Sequence, residues 1–263
     1  MKEYRVIRMF SKELNREVRV SVMLPHTYAK SERFYPVLYM HDGQNLFDPL
    51  TSYDGTTWGI LEAYENNPDL PEVIIVGIDN GGNERSNELV PFTFKFSEVG
   101  SPEYGDEEYG GNTDVYLNYI VEQIKPLIDK QFRTFKSPKN TALMGSSFGG
   151  VCTTYAAMNY GKYFSRFGCV SNAFYVIQNE LEEMAKNADL SHVKKLYMDV
   201  GNKESSNSID SQNYVESNNA MYEIIKDKIS KNRIAFEVCE DAKHHERDWA
   251  KRFPNIIKFL FND

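Results

Sequence analysis

Long apolar runs, paired cysteines and an excess of positive charge are all missing from this chain of 263 residues. No stretch approaches the roughly 18 consecutive apolar residues of a membrane helix. The three cysteines, Cys152, Cys169 and Cys239, are odd in number, lack metal-ligand spacing and sit in apolar stretches. They are expected to be buried reduced thiols. A formal net charge of -8 and a pI of about 5.3 make the surface acidic. Such a surface repels phosphate backbones and anionic lipid, so neither nucleic acid nor membrane is an expected partner. The start, Met1-Lys2-Glu3-Tyr4-Arg5, has no apolar core and no small-residue cleavage site. A cytoplasmic location is expected; a chain trimmed of its leader would read the same way. Internal repeats and low-complexity linkers are also lacking, which favours one domain over residues 1–263.

What is present suits a large core: 41% of residues are hydrophobic. Tyr4 to Phe10 and Glu17 to Leu24 alternate polar and apolar around a short polar break, as an antiparallel hairpin with one wet face does. From Pro36 the pattern changes to continuous apolar runs, the mark of strands covered on both faces. These are Val37 to Met40, Val73 to Ile78, Ala142 to Met144, Phe167 to Val170, Lys195 to Val200 and Ile234 to Val238. Helical patterns lie between or after them at Val115 to Phe132, Val151 to Tyr160, Asn213 to Ile229 and Trp249 to Phe261. Strand–helix alternation after an antiparallel start predicts an α/β fold with a mostly parallel, doubly wound sheet. Two stretches break the rhythm. Asn80 to Gly111 is a long polar loop rich in Gly, Glu and Tyr, and Asn172 to Ser191 is a helical excursion at the sheet edge. Many of the 17 Tyr and 16 Phe fall in loops between Phe47 and Tyr109. They are either lining for a pocket that takes rings or sugars, or the edges of a thick core.

Gly145-Ser146-Ser147-Phe148-Gly149 fits G-x-S-x-G. By composition alone about 0.1 such matches are expected in a chain of this length. Its setting is what discriminates: an apolar strand precedes it and a small-residue helix follows. This is the nucleophile elbow, a sharp turn that lifts the serine clear of the sheet and aims helix amides at developing negative charge. Ser147 is the central serine. A serine hydroxyl needs a base, and the chain order in this architecture is Ser, acid, His. His192 precedes a strand and sits at its wrong end. His244 and His245 follow the last strand, where the base belongs. Together with Glu246 they also offer metal ligands, but adjacent side chains diverge, so no metal is expected. For the acid, Glu204 lies where the chain has left its strand and can reach an imidazole; Asp199, inside the strand, is the alternative. Two backbone amides are needed for the oxyanion. Phe148 supplies one, and the turn His41-Asp42-Gly43-Gln44-Asn45 the other, with Gly43 the candidate because a missing side chain allows close approach to substrate.

At these residues the chain resembles the putative esterase family of α/β-hydrolases, which includes esterase D, feruloyl and acetyl-xylan esterases, enterochelin esterases and mycolyltransferases. The resemblance runs over Val37 to Phe47, over Ile75 to Asn80 with Arg85, Glu88 and Pro91, and over Gly145 to Gly150. It continues through Asp199 to Glu204 and His244 to Trp249. The last segment is similar to a His-Asn-Glu-x-x-Trp pattern, which selects His244 as the base and puts His245 at the family's Asn. The resemblance implies an α/β-hydrolase fold and hydrolysis of carboxylic esters on a small-molecule substrate, with no metal or organic cofactor. The Asp-Gly-Gln-Asn turn looks closest to the carbohydrate-ester and enterochelin-esterase branches, which points to a short acyl or acetyl ester on a sugar. Acyl transfer, siderophore-ester hydrolysis and thioester hydrolysis use the same triad. A non-catalytic binding module would have lost Ser, His or acid, and all three are present. Arg85 and Tyr109, in the long loop, are the candidate substrate contacts; for Arg85, pairing with a local carboxylate is the competing expectation.

Overall fold

The structure, a computed structural model, describes residues 4–100, 103 and 105–262. Met1 to Glu3, and residues 101, 102 and 104 of the long loop, lie outside the described residues. Eight strands form the main sheet: β1 (Tyr4–Ser11), β2 (Arg16–Met23), β3 (Val37–Met40), β4 (Ile74–Ile78), β7 (Thr141–Ser146), β8 (Arg166–Val170), β9 (Lys195–Lys203) and β10 (Ile234–Lys243). Their order is β1-β2-β4-β3-β7-β8-β9-β10. The hairpin β1–β2 pairs antiparallel, β2 joins β4 antiparallel, and every later pairing is parallel. This is the α/β-hydrolase fold.

The period-two geometry of a strand explains why the central runs are apolar throughout. Val37 and Tyr39 of β3, with Ile74, Val76 and Ile78 of β4, enter one core. Leu38, Met40 and Ile75, their alternates, enter the other. The first core is closed by α3 (Thr113–Tyr119), α5 (Phe148–Asn159), α6 (Gln178–Asn187) and α7 (Ser208–Ile225). The second is closed by α1 (Ile60–Asn66) and by α8 (Glu246–Phe261) through Trp249, Phe253, Ile256 and Leu260. Each large apolar side chain so buried contributes about 1.5–3 kcal/mol. The cysteines are buried and unpaired. Among the described residues, no helix is long and apolar enough to cross a membrane.

The stretch Asn80 to Gly111 is not the plain polar loop expected from its composition. It holds a short helix, α2 (Arg85–Leu89), and a two-stranded ribbon of β5 (Phe94–Lys95) and β6 (Glu108–Tyr109). Phe94, Phe96 and Tyr109 pack on one another, and Phe94 and Phe96 also meet Phe148. Its aromatics therefore bury an apolar face over the elbow. Helix α7 begins at Ser208, ahead of the expected Asn213, because the Asn207 side chain caps it by accepting from the Ile209 N–H at 2.9 Å. The segment Val115 to Phe132 is helical as expected, but a π turn at Ile120–Ile124 leads into α4 (Lys125–Gln131). Pro126, one residue into α4, has no N–H to give a regular ladder.

Candidate active site

Strand β7 ends at Ser146 and α5 starts at Phe148, so Ser147 alone makes the bend. It does so at φ 59 and ψ -123, a conformation non-glycine residues rarely hold. Its N–H continues the ladder to the Val170 carbonyl at 2.9 Å. The bend needs Gly145: a Cβ there would lie 2.8 Å from the Gly149 backbone and 2.8 Å from the His41 ring. As first residue of α5, Phe148 has an N–H that the helix does not use.

The other end of the site is built by register. Strands β9 and β10 run in parallel with Cys239 opposite Gly201 and Lys243 opposite Lys203. Four steps along β10 thus match two along β9 (243 − 239 against 203 − 201). Asp241, at φ 58, absorbs the bulge, and its N–H is taken by the Asn202 side chain at 2.8 Å. Both strands run further than their apolar runs, and Glu204 and His244 follow their matched last residues. His244 Nδ1 lies 2.7 Å from Glu204 Oε2. Asp199, in contrast, is fully buried within β9, 3.1 Å from Arg252, and accepts the Ser171 N–H at 3.0 Å. Among the described residues, the imidazole bond of His244 goes to Glu204 and not to Asp199.

The Glu204 side chain is shut off from solvent. Burial by itself pushes its carboxyl up. The hydrogen bond and charge of His244, the Ser171 hydroxyl and the Gly201 N–H outweigh that and leave it below the ordinary glutamate range. An ionised carboxylate only accepts, so a neutral His244 ring carries its proton on Nδ1 and has its lone pair on Nε2. Ser171 escaped the sequence reading. Its hydroxyl oxygen accepts from Trp249 Nε1 at 2.9 Å and from Arg252 Nη2 at 3.0 Å. Both partners can only donate, so the hydroxyl proton is left for Glu204. Its position directly after the apolar run of β8, beside the elbow strand, was the available signal.

Ser147 and His244 line one cleft of about 760 Å³. Gln44, Asn45, Tyr53, Asp54, Asn80, Arg85 and Trp249 are also in its wall. Arg85 reaches it while paired with Asp42, by Nε to Oδ1 at 2.8 Å and Nη2 to Oδ2 at 2.7 Å. The local carboxylate expected as the alternative is therefore Asp42. Tyr109 is outside this lining; its ring packs against Phe94 and Phe96, which in turn meet Phe148. Gly43 is a glycine for a different reason than the one inferred from sequence. A Cβ there would lie 2.5 Å from Gly77 C and from Ile78 N, so it is β4, not a ligand, that comes close. Gly43 and Gln44 open a 3-10 turn whose own bonds begin with the Asn45 N–H to the Asp42 carbonyl, at 2.9 Å. Their two N–H groups are left unused by the turn.

His245 points away from His244. Its Nδ1 accepts the Arg247 N–H at 3.1 Å, capping α8, and its Nε2 lies 2.8 Å from Asp54 Oδ2. Asp54, His245 and Glu246 bring ligand atoms within 4.8 Å of one another. With Nδ1 accepting, however, a neutral ring carries its proton on Nε2 and gives it to Asp54. No lone pair on His245 is left for a metal, and the trio fits a cation poorly.

The family described as Putative esterase matches residues 11–260. This chain belongs to that family. Among curated relatives, the Bacillus subtilis protein YbbA, itself uncharacterised, is 24% identical over 249 residues, which cover 92% of each chain. The esterase is similar in fold to an IroE-like serine hydrolase from Shewanella oneidensis, with a TM-score of 0.76 and 22% identity over 98% of this chain and 80% of that one. It is also similar to the enterobactin esterase FES from Shigella flexneri, with a TM-score of 0.72 and 17% identity over 98% of this chain and 58% of that one. The esterase is accordingly a carboxylic ester hydrolase.

Proposed function

We propose that the esterase works through an acyl-enzyme on Ser147, with His244 as base and Glu204 as the acid that orients it. The observation that carries this reading is the Glu204–His244 bond of 2.7 Å at the edge of the cleft that Ser147 also lines. Nε2 of His244 takes the Ser147 proton as Oγ attacks the ester carbonyl. The tetrahedral oxyanion is met by the Phe148 N–H and by an N–H of the Gly43–Gln44 turn, each such donor being worth about 3 kcal/mol. The alcohol leaves with the proton from His244, and water, deprotonated by the same ring, hydrolyses the acyl group. No step requires a metal or organic cofactor.

The substrate class we favour is a small-molecule short acyl or acetyl ester on a carbohydrate. The support is the cleft wall: the side-chain amides of Gln44, Asn45 and Asn80, the carboxylate of Asp54, and the exposed ring of Tyr53. Amides and carboxylates bind hydroxyl groups, and exposed rings stack on sugar faces. Ser147→Ala tests the chemistry. It should abolish p-nitrophenyl acetate turnover in a protein with an unchanged melting temperature; wild-type turnover would remove Ser147 from the role. Acetylated xylooligosaccharide should be deacetylated faster than an acetate ester of a simple alkanol, and the reverse order would remove the sugar. Net transfer of acetyl to an added sugar, with little free acetate, would make the reaction acyl transfer.

A further inference from the structure

We propose that Arg85 is a positioning residue that locks the two halves of the oxyanion site together, acting through Asp42 on one side and Phe148 on the other. The inference rests on the reading of Ser147 as nucleophile. Its starting point is Asp42, which stands at φ 54 and ψ 46, in the left-handed region, with its side chain only 6% exposed. That conformation is uncommon for a residue with a Cβ, and it persists only where the surroundings hold it. Here it turns the chain from the end of β3 into the 3-10 turn that presents the Gly43 and Gln44 N–H groups. Both carboxylate oxygens of Asp42 are engaged: Arg85 takes them in a two-pronged bond, and Asn80 Nδ2 adds a bond at 2.5 Å to Oδ1. The same guanidinium lies 5.5 Å from the centre of the Phe148 ring. Phe148 carries the other oxyanion N–H. One rigid, planar cation thus spans the turn and the elbow, whose two N–H groups must converge on a single oxygen.

The geometry favours positioning over substrate contact. Arg85 has its charge matched by Asp42 and its guanidinium carbon over the Phe148 ring, although the side chain also reaches the cleft wall. A lysine would supply the charge but neither the two-pronged bond nor the flat face. Donors displaced by about 1 Å lose roughly 100-fold in rate, because they act only on the tetrahedral species.

Steady-state kinetics on p-nitrophenyl acetate, together with inhibition by trifluoroacetone, tests this. Trifluoroacetone forms a hemiketal oxyanion on the nucleophile and so reports on the oxyanion site. Arg85→Gln should lower kcat by roughly 30- to 100-fold with KM within about 3-fold, and should weaken trifluoroacetone in parallel. Arg85→Lys should recover little of either. Should Arg85→Gln fold poorly because Asp42 is left unpaired, the double variant Asp42→Asn/Arg85→Gln removes that buried charge and should still show the kcat and inhibitor losses. A rise in KM with kcat intact would make Arg85 a substrate contact and overturn the proposal. So would unchanged kcat and inhibition in a folded variant. Ser147→Ala, assayed alongside, separates the two levels: if it stays active the nucleophile reading fails, whereas if it is dead and Arg85→Gln is unimpaired only the clamp fails.

Discussion

Exchanging Glu204 for Gln should be far more damaging to turnover than exchanging Asp199 for Asn, although the two carboxylates are only five residues apart, one inside β9 and one just past its end. The Glu204 side chain is sealed from solvent and its Oε2 receives the His244 Nδ1 proton at 2.7 Å. Glutamine is nearly the same size as the glutamate it would replace, so the fold should hold. The new amide NH2 group, turned toward Nδ1, would force the imidazole proton onto Nε2, the atom that must accept from Ser147. The variant would also lose the charge that stabilises the imidazolium. Triads that lose their acid in this way slow by about 10³–10⁴, or roughly 4–5.5 kcal/mol of transition-state stabilisation. Asp199→Asn works on stability instead. It leaves Arg252 without its buried counter-charge, which typically costs about 3–5 kcal/mol. The lower end applies here, because burial already pushes the Asp199 carboxyl up to about 6 and part of its charge is unfavourable. A melting temperature lower by roughly 10 °C with kcat within about 10-fold is expected. The assay is kcat on p-nitrophenyl acetate beside thermal melts for both variants. The reasoning is refuted if folded Asp199→Asn loses more kcat than Glu204→Gln.

Two further outcomes follow from the loop after β3. Burial pulls the His41 imidazole down to about 4, against about 6.5 in an unfolded chain. The unfolded state therefore binds the extra proton first, and this contribution to stability is complete above pH 6.5 and drains away as pH falls toward 4, up to about 3 kcal/mol. Asp199, whose folded value is raised, slopes the opposite way between about 4 and 6, so the comparison is urea unfolding of His41→Phe against wild type across that window; parallel curves would contradict it. Gly43→Ala puts a methyl group against the backbone of β4 and should cost about 1–3 kcal/mol as well as activity; a variant as stable as wild type would show that the turn has slack.

Much of this arrangement was legible in the residues because apolar runs, an elbow motif and chain order each report local physics. Every run of the central sheet became a strand, and Glu204 and His244 came to lie beside each other. Other features depend on partners remote in sequence. Asp42 and Arg85 are 43 residues apart, and nothing near either one says which carboxylate the guanidinium will take. Gly43 reads as a ligand-facing glycine until β4 is seen against it. The bulge in β10 that delivers His244 falls in Glu240 to Lys243, where polarity hides strand continuation. The loop aromatics read either as pocket lining or as the edge of a thick core, and Tyr109 packs on Phe94 and Phe96, a choice set by the ribbon and not by composition.

The central claim, that Ser147 is the acylated nucleophile, is tested most directly by labelling the intact protein with a fluorophosphonate probe and mapping the adduct by peptide mass spectrometry. A single phosphonyl group on Ser147, absent from Ser147→Ala and slow to form in His244→Ala, is the predicted result. An adduct on another residue, or a folded wild-type protein that stays unlabelled, would contradict it.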